Sequence, residues 1–247
     1  MTDLSPGTAV PGHLLRAVGV RVDARPLPLL EPTTVSVASG QRLLVAGEPG
    51  HGHTALALAL GGRLAVDAGH VELDGSRSGR ALRRAVALVD VPGVSEPDPV
   101  LPLRTVVAEE LAMAGLPTRH GAVQAFLDER GYGDLAGRTL EAVPPGPRLR
   151  ILAGIAARRP GVIAVVTTVP DRFGGDPADW WGLAGELAAT GLAVVVSCTD
   201  ASALQVTGAP SSHPWRDPAP VALGSAALPS PDAAGVTPLA VPEESLP

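Results

Sequence analysis

The sequence predicts an α/β protein built on a mostly parallel sheet flanked by helices. Three observations carry that expectation. Residues 47–54 read Gly-Glu-Pro-Gly-His-Gly-His-Thr, and Gly47, Gly52 and Thr54 stand at fixed places of the phosphate-loop pattern G-x-x-x-x-G-K-[ST], with Gly50 between them. The apolar run Leu43-Leu44-Val45-Ala46 precedes this loop and the helix formers of residues 54–60 (TALALAL) follow it, the strand–loop–helix setting that such a loop requires. Apolar strands and helical segments then alternate to about residue 200, as in a parallel sheet covered by helices. A chain of 247 residues fits one such domain with appendages, or at most two small ones.

Backbone N–H groups of a phosphate loop wrap the anion, and glycines let the chain approach it closely. Here His53 replaces the lysine of the pattern. Imidazole is shorter, and with an ordinary pKa of ~6.5 it is mostly neutral at neutral pH. The chain has no lysine at all, so none elsewhere can substitute. Thr54 keeps the hydroxyl that touches Mg²⁺ in such loops. His51, His53 and His70 raise metal binding as a rival, but no cysteine or acidic ligand has matching spacing nearby. Histidines facing phosphate or solvent are the favoured reading. A glycine-rich turn in a chain with 29 glycines is the bland alternative.

The other elements follow in order. Residues 1–12 are a flexible Pro/Gly-containing lead. Residues 14–22 (LLRAVGVRV) alternate imperfectly and predict a strand, and the β-branched residues 33–37 (TTVSV) predict a second. A short strand ends in a turn at Asp74-Gly75, and residues 85–89 (AVALV) form another. Residues 105–113, 122–130 and 148–158 show helical spacing of apolar positions. Residues 162–166 (VIAVV) read as a fully buried strand, residues 179–190 as a helix, and residues 192–196 as a last buried strand. From residue 208 the character changes: nine of the last 40 residues are proline. That composition cannot easily bury a core, so residues 208–247 are expected to be a largely disordered tail, with 221–223 the one segment in it that reads as a strand.

Composition narrows the function classes. Apolar residues make up 45% and aromatics 2%, so the core must be built from Val, Leu and Ala. The formal charge is −6 and every basic residue is arginine, which argues against generic nucleic-acid binding. The run Arg148, Arg150, Arg158, Arg159 reads as a solvated helix face. Trp180-Trp181 reads as a helix anchored on the sheet. The single cysteine, Cys198, excludes an internal disulfide and reads as a buried inert thiol. No basic-then-apolar leader opens the sequence, and no apolar run approaches ~18 residues. The expectation is a cytoplasmic protein without direct membrane insertion.

With the order of elements set out, the chain resembles the ATP-binding cassette (ABC) ATPases, the nucleotide-binding subunits of ABC transporters, over roughly residues 14–200. Residues 40–58 are similar to the family's strand, Walker A loop and helix, and Gly69-His70-Val71-Glu72-Leu73-Asp74-Gly75 to the G-x-V-x-L-D-G stretch that follows. Asp90 stands where the Q-loop glutamine falls. Residues 143–150 (VPPGPRLR) stand at the signature L-S-G-G-Q-x-x-R, of which only Gly146 and Arg150 survive. Residues 162–166 are similar to the Walker B strand, with Thr167-Thr168 in place of its Asp-Glu pair. Gly174-Gly175-Asp176-Pro177 looks like the D-loop, and residues 194–200 like the switch strand with Thr199 in place of histidine.

The resemblance implies a P-loop NTPase fold over residues 13–207, with an N-terminal antiparallel β part and a small helical subdomain over about 103–158. It implies ATP with Mg²⁺ as cofactors, bound by Gly47, Gly50, His51, Gly52, His53, Thr54 and Asp90, with Thr54 and Asp90 toward the metal. As partners it implies a second ABC ATPase-like subunit, identical or different, and a membrane permease subunit that would bring the protein to the inner face of the membrane. The departures point away from hydrolysis. Threonine supplies neither a metal-attracting charge nor a base of useful pKa, and Pro144, Pro145 and Pro147 remove backbone donors. Asp171, the nearest following carboxylate, is separated from Thr168 by Val169-Pro170. The expectation is a degenerate nucleotide-binding subunit, with a pseudo-ATPase interaction module that binds no nucleotide as the alternative.

Overall fold

The computed structural model describes residues 12–119, 121–208 and 221–222. Two sheets organise the chain. In the first, β1 (Leu14–Val22) lies between β2 (Leu30–Ala38) and β4 (Ala68–Leu73), antiparallel to both. The second comprises β3 (Arg42–Ala46), β5 (Val86–Val89), β6 (Ala164–Thr168), β7 (Ala193–Cys198) and β8 (Val221–Ala222). Its order is β5-β6-β7-β3-β8 and every pair in it is parallel.

The sequences VALV, AVVTT and AVVVSC of β5, β6 and β7 run without polar alternation before their last residues because both faces are covered. On one face Leu43, Val45, Val166 and Val195 pack with Leu56 and Leu60 of α1 (His53–Leu60) and with Val20 and Val37 of the antiparallel sheet. On the other, Leu44, Val165, Val194 and Val196 pack against helices. These are α3 (Leu103–Met113), α4 (Ala122–Asp128), α5 (Pro145–Ala156) and α6 (Pro177–Ala189). Each fully buried Leu contributes about 1.5–3 kcal/mol from burial, so aliphatic residues build the core without many aromatics. Trp180 and Trp181 are both buried, edge to face, and the Arg42 guanidinium lies 4.2 Å from the Trp181 ring.

The structure adds elements that the pattern of apolar residues did not announce. Helix α2 (Gly79–Ala85) starts at Ser78, whose hydroxyl accepts from the Ala81 N–H at 3.3 Å. Helix α7 (Asp200–Gly208) follows directly on β7. Helix α5 begins three residues before the expected position, with Pro145 and Pro147 in its first turn, where a missing N–H costs little because first-turn N–H groups have no acceptor within the helix. Val221 and Ala222 pair with Val45 and Ala46, so a strand of the main sheet lies beyond the boundary expected at 207. The remainder of the expected tail, and most of the lead at 1–12, lie outside the described residues. Among the described residues no helix is long and apolar enough to cross a membrane. Cys198 is fully buried, and burial, with Asp171 nearby, pushes its thiol up to about 12.

Candidate functional site

The carboxyl ends of the parallel strands gather the residues singled out above. β3 ends at Ala46, the chain turns through 47–52, and α1 begins at His53. The Gly47 N–H donates to the Cys198 carbonyl at 3.1 Å, tying the loop to the end of β7. A local turn closes when the His51 N–H donates to the Glu48 carbonyl (3.1 Å) and the Glu48 N–H to His51 Nδ1 (3.2 Å). Gly52 caps α1 at φ 93°, and a Cβ there would stand 2.4 Å from the Leu29 carbonyl oxygen. Glycine is required at this position on both counts. Thr54 lies half-buried in the first turn.

His53 is buried, and its Nε2 lies 2.8 Å from the Gly47 carbonyl oxygen. A carbonyl only accepts, so Nε2 carries the proton and Nδ1 keeps its lone pair. Among the described residues Nδ1 has no partner. Burial holds the His53 pKa below its ordinary value, against the smaller opposing pulls of the Gly47 and Glu48 backbone and of Asp171. The imidazole is therefore neutral and turned back on the loop's own first residue. To meet a phosphate it would have to leave Gly47.

The end of β6 carries no charge. Thr167 and Thr168 are buried with hydroxyls that find no partner among the described residues, and the same holds for Ser197 on β7. Thr168 and Ser197 are register partners, so both project to the α1 side of the sheet. Asp171 lies beyond them in a 3-10 turn (Pro170–Phe173). Its Oδ2 accepts from the Thr199 N–H (3.1 Å), the Thr199 hydroxyl (2.6 Å) and the Ser202 hydroxyl (2.7 Å) at the start of α7. Burial alone would raise the Asp171 pKa, but these hydrogen bonds outweigh it and leave the carboxylate below its usual range. The carboxylate is thereby a weak base that holds Thr199, whose hydroxyl caps α7 by accepting from the Ser202 N–H (3.3 Å), while among the described residues its buried Oδ1 has no partner.

Asp90, at the end of β5, lies at the other side of this rim. Two strands, β6 and β7, separate β5 from β3, which puts it about 14 Å across the sheet from the loop's strand. Its carboxylate is buried and doubly bonded to Arg148: Nε to Oδ2 at 2.9 Å and an Nη to Oδ1 at 2.7 Å. Arg172 donates to the Asp90 carbonyl at 2.7 Å and pairs with Asp90 Oδ1 at 3.1 Å, and Glu96 pairs with both arginines. Phe173 lies against both guanidinium groups, at 4.0 and 4.1 Å. Asp90 as it stands does not fit a Mg²⁺ site, because both carboxylate oxygens are already taken by guanidinium groups.

The solvated-face reading of the arginine run fails at Arg148, which is 2% exposed. It was legible in hindsight: residues 148, 151, 152 and 155 share one helix face, and the last three are core. Arg150 pairs with Glu186 and Arg159 with Glu110, while Arg158 is exposed. Arg172, Glu96 and Ser202 carried no sequence signal. The structure thus brings Gly47, Gly50, His51, Gly52, His53 and Thr54 together in one loop at a helix N-terminus and holds Asp90 apart from them. Chemically, the loop offers backbone donors and a hydroxyl, while the end of β6 offers no base to activate water.

No family model matches the chain, and no curated protein matches it. Solved structures do. A nucleotide-free ATP-binding cassette from an ABC transporter aligns at TM-score 0.59 and 18% identity, over 79% of this chain and 83% of its own. An ATP-binding cassette of an ABC transporter in its ADP conformation aligns at 0.56 and 18%, over 76% and 81%. An ATP-binding subunit of an ABC transporter aligns at 0.55 and 17%, over 77% and 81%. Antiparallel sheet, parallel sheet and flanking helices coincide in one arrangement: the chain has the fold of an ATP-binding cassette.

Proposed function

We propose that the chain is an ABC-type ATP-binding subunit that takes nucleotide phosphates in the 47–54 loop and hydrolyses little or none by itself. It would act beside a second ABC ATPase-like subunit and a membrane permease subunit, at the cytoplasmic face of the membrane. The observation that carries this reading is the contrast between two strand ends. β3 leads through glycines into the N-terminus of α1, where backbone donors and the helix dipole favour an anion. β6 ends in buried Thr167-Thr168, where hydrolysis needs a metal-binding carboxylate and a base. Glycine at position 52, required by the Leu29 carbonyl, fixes where the loop enters α1. Asp171 is a weak base, since the bonds of Thr199 and Ser202 to its Oδ2 hold its pKa below the usual carboxylate range.

Calorimetric titration with ATP and ADP, paired with a phosphate-release assay, tests the reading. Saturable binding that is lost in Thr54→Ala, with phosphate release no faster than in that variant, is expected. A steady hydrolysis rate that Thr54→Ala abolishes would overturn it.

A second reading, an interaction module without nucleotide, is favoured by one observation: His53 is buried and bonded to Gly47, inside the loop that phosphate would fill. Under it no nucleotide binds the native chain, and His53→Lys, which frees the Gly47 carbonyl and adds a cation, restores binding.

A further inference from the structure

We propose that the guanidinium of Arg172, with Arg148 beside it, is the resident cation of the strand-end cluster at β5 and β6, in place of a divalent metal. Five oxygens converge on Arg172. One Nη reaches the carbonyls of Thr168 (2.9 Å) and Val169 (3.1 Å). The other reaches the Asp90 carbonyl (2.7 Å), Asp90 Oδ1 (3.1 Å) and Glu96 Oε1 (3.3 Å). An oxygen-only shell that mixes carbonyls and carboxylates is what a hard divalent cation collects. Here a planar fork collects it, and a fork can serve several acceptors at once.

Backbone geometry says that the shell is built rather than incidental. Asp90 and Val169 are both in the left-handed region, at φ 52° and 44°. That conformation is costly for any non-glycine residue and most of all for β-branched valine. Such strain persists only where the surroundings over-determine it. Both strained residues offer their carbonyl oxygens to the one guanidinium, which thereby joins the end of β5 to the end of β6.

Charge closes the argument. The cluster holds two carboxylates, Asp90 and Glu96, and two guanidinium groups, Arg148 and Arg172. It is neutral as it stands. Thr167 and Thr168 supply no further negative charge. A divalent ion added here would leave a net double positive charge at a rim where Asp90 and Arg148 are almost wholly buried, an arrangement that desolvation opposes. Arg148 ties Asp90 and Glu96 to the first turn of α5, and Arg172 ties them to the end of β6, so the helical part is held to the sheet by guanidinium groups. The inference rests on this geometry and not on whether nucleotide binds.

The test is thermal melting of the full chain in EDTA and in millimolar Mg²⁺, without nucleotide. The native protein should melt at the same temperature in both. Arg148→Met/Arg172→Met leaves Asp90 and Glu96 uncompensated, so its melting temperature should rise with Mg²⁺ by about 3 °C or more. A double variant that folds but shows no Mg²⁺ response would overturn the proposal. So would a native protein stabilised by Mg²⁺ whose response disappears in Glu96→Gln. That second arm holds even if the double variant fails to fold. ATP titration in EDTA is a separate readout: its failure counts against the nucleotide reading and leaves the cation assignment standing.

Discussion

Nε2 of His53 lies 2.8 Å from the carbonyl oxygen of Gly47, six residues back, so the side chain at the start of α1 closes the glycine loop upon itself. A lysine there would carry a charge outward. The histidine is buried, and neutral because it is buried.

Acid should weaken the fold through His53. Its pKa is near ~6.5 in the unfolded chain and lower in the folded protein. Above pH ~6.5 both states leave the ring neutral and stability is full. As pH falls from there toward the folded pKa, the unfolded chain takes up the proton before the folded protein does, so stability declines. His53→Gln keeps a donor for Gly47 but does not titrate. The melting-temperature difference between the native protein and this variant should therefore shrink or reverse from pH 8 to pH 5.5, and a constant difference would remove His53 from the acid response.

Nucleotide binding should have the opposite sign. An imidazolium freed from Gly47 would face phosphate favourably, so affinity should rise as pH falls through the His53 pKa. His53→Lys should tighten ATP binding more at pH 8 than at pH 6. Equal tightening at the two values, read by calorimetry, would mean that the ring does not meet phosphate.

Gly52→Ala should be the most damaging substitution in the loop. It combines φ 93° with a Cβ 2.4 Å from the Leu29 carbonyl oxygen, and a cost of about 1–3 kcal/mol follows from the backbone alone, before the clash. Gly50→Ala has the same sign of φ but open space around it, so it should cost less. Denaturant unfolding of the two variants side by side checks the order.

Arg148→Ala leaves the Asp90 carboxylate buried beside a lost partner, which should cost about 3–5 kcal/mol. Asp90→Leu should be similarly damaging by itself. The double variant should be less damaged than the sum of the two, because no uncompensated charge remains there. Additive losses in a double-mutant cycle would mean that the pair is not coupled.

Ending the chain at Gly208 should destabilise it modestly, by about 1 kcal/mol, because β8 covers the open side of β3 at Val45 and Ala46. Ending it at Ala222 should leave the melting temperature unchanged. Identical behaviour of the two truncations would show that the short strand adds nothing to the sheet.

Much of this molecule was written locally. Strand, glycine loop and helix from 42 to 60, the apolar strands β6 and β7, and the uncharged end of β6 at Thr167-Thr168 follow from residue type and period alone, because backbone conformation and strand burial depend on near neighbours and pattern. Helix α2 escaped that pattern because its capping residue, Ser78, and its three arginines read as a polar connection. What only the tertiary structure decided is the fate of the charged and titratable side chains. Asp90 finds Arg148 58 residues away and Arg172 82 residues away. Asp171 finds Ser202 across 31, and His53 turns inward to Gly47. A buried polar group must be satisfied by whichever partner the fold delivers, and in a parallel sheet those partners arrive from strands far apart in the chain. Residue order alone therefore marks the glycine loop and the uncharged end of β6, while the sheet decides that Arg148 and Arg172 gather the oxygens at its rim.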